Sequence, residues 1–68
     1  MITWKGERLR ARRKQLGLTT AEVAERIGTE HNHITIWEKD KSEPSGKYLI
    51  LLSTALKMSA SAFYEWDE

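Results

Sequence analysis

Apolar residues recur along this chain at three- and four-residue spacings, in short blocks divided by glycines or polar turns. The first block is sparse. Trp4, Leu9 and Leu16 are the expected inward anchors of a helix capped by Thr3 and stopped at Gly17, with arginines between them. Leu18 leads into Thr19-Thr20-Ala21-Glu22, where Thr19 and Glu22 have the spacing of a capping box. Val23, Ala24 and Ile27 follow at helical spacing, and Gly28 closes this second helix. A third begins near Thr29 or Glu30 and runs through Ile34 and Trp37 to Glu38. Lys39 to Pro44 is polar and turn-like, and Pro44-Ser45 marks the next helix start. From Gly46 to Leu56 the chain is strongly apolar, and Ser59 is placed to cap a last short helix holding Ala62, Phe63 and Trp66. The pattern predicts five helices with no convincing strand and no internal repeat: an all-α domain covering residues 1–68.

The second and third helices are separated by a glycine and one or two residues, so the chain must turn sharply there. Such a corner needs a small residue where the helices cross, glycine at the bend and apolar residues on both inner faces. Ala24, Gly28 and the set Val23, Ile27, Ile34 and Trp37 supply these, which is a helix-turn-helix arrangement.

Size narrows the alternatives. Ordering 68 residues costs on the order of 100 kcal/mol, and with no cysteine there is neither a disulfide nor a thiolate metal cage to offset it. Local helix-on-helix packing of the 40% apolar residues must suffice. A secreted domain this small is usually stapled, no apolar run is long enough to span a membrane, and the amino end lacks a signal peptide's apolar stretch. The expectation is a soluble cytoplasmic domain.

Net charge is only +1, but its distribution is uneven. Residues 1–20 carry six basic side chains against one acidic, whereas residues 42–68 carry two basic against four acidic. A basic end and an acidic end suggest a body oriented toward a charged partner.

Gly6-Glu7-Arg8-Leu9-Arg10, Gly17-Leu18-Thr19, Val23-Ala24-Glu25-Arg26-Ile27-Gly28, Ile34, Trp37-Glu38 and Glu43-Pro44-Ser45 together resemble the phage repressor and Cro (XRE-like) type of DNA-binding domain. Leu52-Ser53-Thr54-Ala55-Leu56, Ser59 and the aromatic close at Phe63-Tyr64 fit the same pattern, so the likeness runs from about Gly6 to Trp66. The resemblance implies a five-helix domain that binds double-stranded operator DNA, usually as a homodimer, with the third helix in the major groove. It also implies that Arg13 on the first helix pairs with Glu38 ending the third. Many members carry a further carboxyl-terminal domain, so this chain is read as the whole or the leading part of a repressor.

The residues fit that role physically. An α-helix fills the major groove, and the outward side chains near its amino end reach base edges. With Ile34 and Trp37 inward, His31, Asn32, His33, Thr35 and Ile36 occupy the outer arc and are the expected base contacts. Asn32 suits adenine, the histidines suit guanine or phosphate, and Ile36 suits a thymine methyl. Thr20, Arg10, Arg12, Lys14, Lys39, Lys41 and Lys47 are the candidate backbone contacts. The resembling family usually places a glutamine where Thr20 stands, and the shorter threonine suits phosphate rather than a base. Glu30 stands where a serine-like cap is usual. It either caps the helix, opposes phosphate or accepts from cytosine.

Rival classes have weaker support. His31 and His33, two apart, point to different helix faces, and no cysteine or third histidine completes a metal site. Nothing orients a nucleophile–base pair, so neither catalysis nor a cofactor or small-molecule ligand is expected. The arginine-rich first helix has too little apolar face for a membrane surface. The alternative to DNA binding is a protein-interaction module on the same fold, using Phe63, Tyr64 and Trp66 beside acidic residues. In a dimeric DNA binder those aromatics are the candidate self-contact.

Overall fold

The four longer stretches expected to be helical are helices in a computed structural model, which describes residues 1–67. In chain order the elements are strand β1 (Ile2–Trp4), helices α1 (Gly6–Gln15), α2 (Thr20–Ile27), α3 (His31–Glu38) and α4 (Gly46–Leu56), a 3₁₀ turn (Ala60–Phe63) and strand β2 (Tyr64–Trp66). The capping box forms as its spacing predicts. Thr19 Oγ1 accepts the Glu22 amide at 3.1 Å, and the Glu22 carboxylate accepts the Thr19 amide at 2.9 Å. These bonds from Thr19, to the charged form, hold the Glu22 carboxyl below its ordinary range.

Both ends of the chain depart from the all-helical expectation. Thr3 does not cap α1; it lies in β1, and the N-cap position belongs to Lys5 in extended geometry. The expected fifth helix is a single 3₁₀ turn, after which the chain extends at Tyr64 to pair antiparallel with β1. Ile2 faces Trp66, Thr3 faces Glu65 and Trp4 faces Tyr64. Both triplets are β-branched or aromatic at most positions, which favours a pleated strand once a partner is at hand. The correction is therefore four α-helices plus a hairpin formed by the two termini.

One expected anchor moves. Leu16 caps α1 and is exposed, whereas Leu18 is buried, because the left-handed turn at Gly17 (φ 69°) swings the chain back onto the body. The core consists of Trp4, Leu9, Leu18, Val23, Ala24, Ile27, Ile34, Trp37, Leu52, Leu56 and Phe63. Phe63 is completely buried, which removes it from the candidate self-contacts: a side chain closing the core has no surface to offer a partner.

Arg8 and Arg12, two of the six basic residues near the amino end, tie separate elements of the fold together. Arg8 donates to the Tyr64 carbonyl. Arg12 Nε donates to the Leu56 carbonyl at 2.8 Å, at the end of α4, where carbonyls lack helical partners. Arg12 thus ties α1 to α4, a use of its charge that the expected backbone contact did not foresee.

Candidate nucleic-acid interface

The corner that presents α3 is built on Gly28. Its φ of 75° is a left-handed conformation that a side chain would strain. It lets the Thr29 amide bond the Ala24 carbonyl at 2.9 Å while the chain turns into the next helix. Ala24, 2% exposed, keeps the crossing close. α3 then sits with Ile34 and Trp37 buried and His31, Asn32, His33 and Ile36 exposed. Thr35 is half-buried at the margin. Four of the five expected base contacts are thus exposed, Ile36 the least of them at 36%.

Those five are not equally free. The His33 ring nitrogen Nδ1 shares a hydrogen bond with Thr29 Oγ1, and the ring stacks on Trp37 at 6.0 Å between centroids. Thr35 donates its hydroxyl back to the His31 carbonyl at 3.3 Å. His31, Asn32 and Ile36 have no such tie among the described residues. Glu30 occupies the N-cap position of α3 but its side chain makes no cap bond. Of the three readings open for Glu30, the side-chain cap is therefore not made; its carbonyl instead accepts the His33 amide at 3.0 Å.

Three contacts fix α3 against the scaffold. Arg13 grips Glu38 with both arms of its fork, Nε to Oε2 at 2.6 Å and Nη2 to Oε1 at 3.1 Å, and donates Nη1 to the Leu18 carbonyl at 3.0 Å. The two side chains are 12% and 7% exposed, so the pair is largely out of water. The bond to Glu38 raises the Arg13 pKa, with desolvation opposing it, so the guanidinium is charged at any working pH. Trp4 Nε1 donates to the Trp37 carbonyl at 2.8 Å. The Gly6 amide donates to Asp40 Oδ1 at 2.7 Å, and Asp40 itself adopts a left-handed φ of 59° to receive it. Of these groups sequence reasoning found Arg13 and Glu38 through the resemblance, but missed Trp4 as a donor, Gly6 and Asp40.

The candidate backbone contacts Arg10, Lys14, Lys39, Lys41 and Lys47 are all exposed. Arg10 and Lys39 line, with Arg13, Thr35 and Glu38, a cleft of about 260 Å³ between α1 and α3. Because Arg13 and Glu38 neutralise each other at its floor, the two outer cations set its charge. Thr20 is half-buried as the first residue of α2, and Lys47 lies over the Tyr48 ring at 5.6 Å from its centroid. No three His, Cys, Asp or Glu side chains converge on a metal-sized site among the described residues.

Known proteins share both sequence and shape. A helix-turn-helix family model matches residues 9–63. Repressor protein C2 of Salmonella phage P22 is 39% identical over 62 residues, covering 91% of this chain and 29% of the relative. The HTH-type transcriptional regulator DicA of Escherichia coli K12 is 40% identical over 63 residues, covering 93% of this chain and 47% of the relative. The chain thus spans less than half the length of these curated relatives. The crystal structure of the P22 c2 repressor in complex with a synthetic operator superposes with a TM-score of 0.88 at 37% identity, covering 96% of this chain and 98% of that one. A corner bent at Gly28, a recognition-type helix held by Arg13 and Glu38, and this breadth of match agree: the chain belongs to the helix-turn-helix family, of the phage repressor type.

Proposed function

We propose that this chain binds specific sites on double-stranded DNA and regulates transcription as a repressor of phage or bacterial type, acting in the cytoplasm where that DNA lies. The observation that carries the reading is the two-sidedness of α3: buried Ile34 and Trp37 on one side, open His31, Asn32 and Ile36 on the other. A helix so anchored enters the major groove without unfolding anything. Asn32 reads adenine through its amide, Ile36 meets a thymine methyl, and His31 lies where a donor reaches guanine or phosphate. Arg10, Lys14, Lys39, Lys41 and Lys47 set the register on the backbone, with Thr20 at the start of α2. Membership in the family and the operator-bound relative support this reading.

The same reading takes the chain as a homodimer on DNA, occupying half-sites about one helical turn apart. Trp66, 71% exposed, and Ile2, 54% exposed, face each other across the hairpin and form an apolar patch suited to self-contact, with half-buried Tyr64 behind it. That patch is also what favours the second reading, a protein-interaction module. Salt separates the two, because phosphate contacts weaken steeply with added salt and an apolar interface does not.

Asn32→Ala tests the base-reading role. Affinity for the preferred site should fall by roughly 1–3 kcal/mol, about five- to 160-fold, while binding to random duplex holds. Equal losses on both, measured by fluorescence anisotropy at fixed salt, would make Asn32 a general contact instead.

A further inference from the structure

The register of the terminal hairpin leaves one strand edge unused. Asp67 donates its amide to the Met1 carbonyl and Lys5 donates to the Phe63 carbonyl at 2.9 Å. With Thr3 opposite Glu65, the backbone groups of Met1, Thr3 and Lys5 therefore point toward β2. Those of Ile2 and Trp4 point the other way, and the sheet has no third strand there among the described residues. A cavity of about 420 Å³ lies beside them, lined by Ile2, Thr3, Trp4, Lys5, Asp40, Ser42 and Glu43. All three residues of β1 and Lys5 after it line the groove although successive side chains alternate between faces, so it runs along the edge of β1 rather than beneath it. Its far wall is the loop between α3 and α4.

That wall is fixed and negatively charged. Asp40 accepts from the Gly6 amide, and Glu43 Oε2 accepts from the Tyr64 hydroxyl at 2.7 Å. Both donors are neutral groups that bring no countercharge, and neither carboxylate is within salt-bridge distance of a cation among the described residues. Lys5, the one basic residue lining the groove, pairs with Glu65 at 3.3 Å. An unpaired strand edge gives main-chain hydrogen bonds to an added strand, and the wall opposite selects its side chains.

We propose that this groove is a docking site for an extended, cationic peptide segment of a partner protein, which adds as a third strand along β1 and sets lysine or arginine side chains against Asp40 and Glu43. This surface is separate from α3's outer face, and the proposal stands whether or not the DNA reading does.

The test titrates the ¹⁵N-labelled chain with an end-blocked peptide of eight residues alternating lysine and valine. Saturable shifts are expected at the Ile2 and Trp4 amides and along Asp40–Glu43. A glutamate–valine peptide should bind at least about ten-fold more weakly, since it sets like charges together. N-methylation of one alternate set of residues should abolish binding while methylation of the other set leaves it, as hydrogen bonding along a single edge requires. Glu43→Gln, which keeps an acceptor for Tyr64, should weaken the lysine peptide several-fold and spare the fold. Equal binding of the lysine and glutamate peptides, indifference to both methylations, or shifts confined elsewhere would overturn the proposal. So would Trp4 and Asp40–Glu43 shifts that grow with protein concentration alone, which would place a second copy in the groove.

Discussion

Arg13→Ala is expected to remove a large part of the stability of this domain. The variant leaves the Glu38 carboxylate, 7% exposed at its side chain, with no cation beside it. Removing one partner of a buried pair costs about 3–5 kcal/mol, because the surviving charge stays out of water. A small domain has only about 5–15 kcal/mol in total, so the melting temperature should fall by on the order of 15 °C or more. The Leu18 carbonyl also loses its donor, loosening the turn between α1 and α2. Thermal unfolding followed by circular dichroism checks this. Adding Glu38→Gln to Arg13→Ala should recover part of the loss by removing the stranded charge. An unchanged melting temperature with weakened DNA binding would mean that Arg13 is a DNA contact and not a brace.

Gly6→Ala should be nearly as damaging, through sterics alone. A Cβ at this position would lie 2.6 Å from the Glu38 carbonyl carbon and closer still to the Trp37 and Glu38 carbonyl oxygens. All three atoms are backbone at the end of α3, so no side-chain rotation relieves the clash. The amino end of α1 has to lift away, which stretches both the Gly6–Asp40 and Trp4–Trp37 hydrogen bonds. Overpacking of about 1–3 kcal/mol and a further ~1 kcal/mol for each weakened bond are the relevant scales. The expected readout is a lowered melting temperature with accelerated amide exchange at the end of α3. Gly46→Ala is the control, since a Cβ there meets nothing within 4 Å. If Gly6→Ala and Gly46→Ala melt alike, the close approach of α1 to α3 is not a constraint.

Much of this was legible along the chain, for reasons particular residues make plain. The Thr19–Glu22 box, the stop at Gly28 and the inward Ile34 and Trp37 are local signals, each decided within one helical turn. The hairpin was not legible, because three-residue strands at opposite ends of the chain carry no alternation long enough to notice. Leu16 and Leu18 exchanged places for a similar reason: spacing alone does not say where a helix ends, and the turn at Gly17 decided it. In the site, the outward residues of α3 followed from its periodicity. The retreat of His33 onto Thr29 and Trp37, the missing side-chain cap at Glu30, and the use of Arg12 at the end of α4 depend on neighbours distant in sequence or on rotamers. Asp40 was hidden more deeply. It looks like any polar turn residue until its left-handed backbone is seen reaching Gly6.

On the proposed function, the exposed side of α3 reads base sequence in duplex DNA. Selection of bound sites from a pool of random duplexes tests it most directly. The expected result is a palindromic consensus with half-sites about one helical turn apart, lost at one position per half-site in Asn32→Ala. A folded chain that enriches no sequence over the starting pool would contradict it.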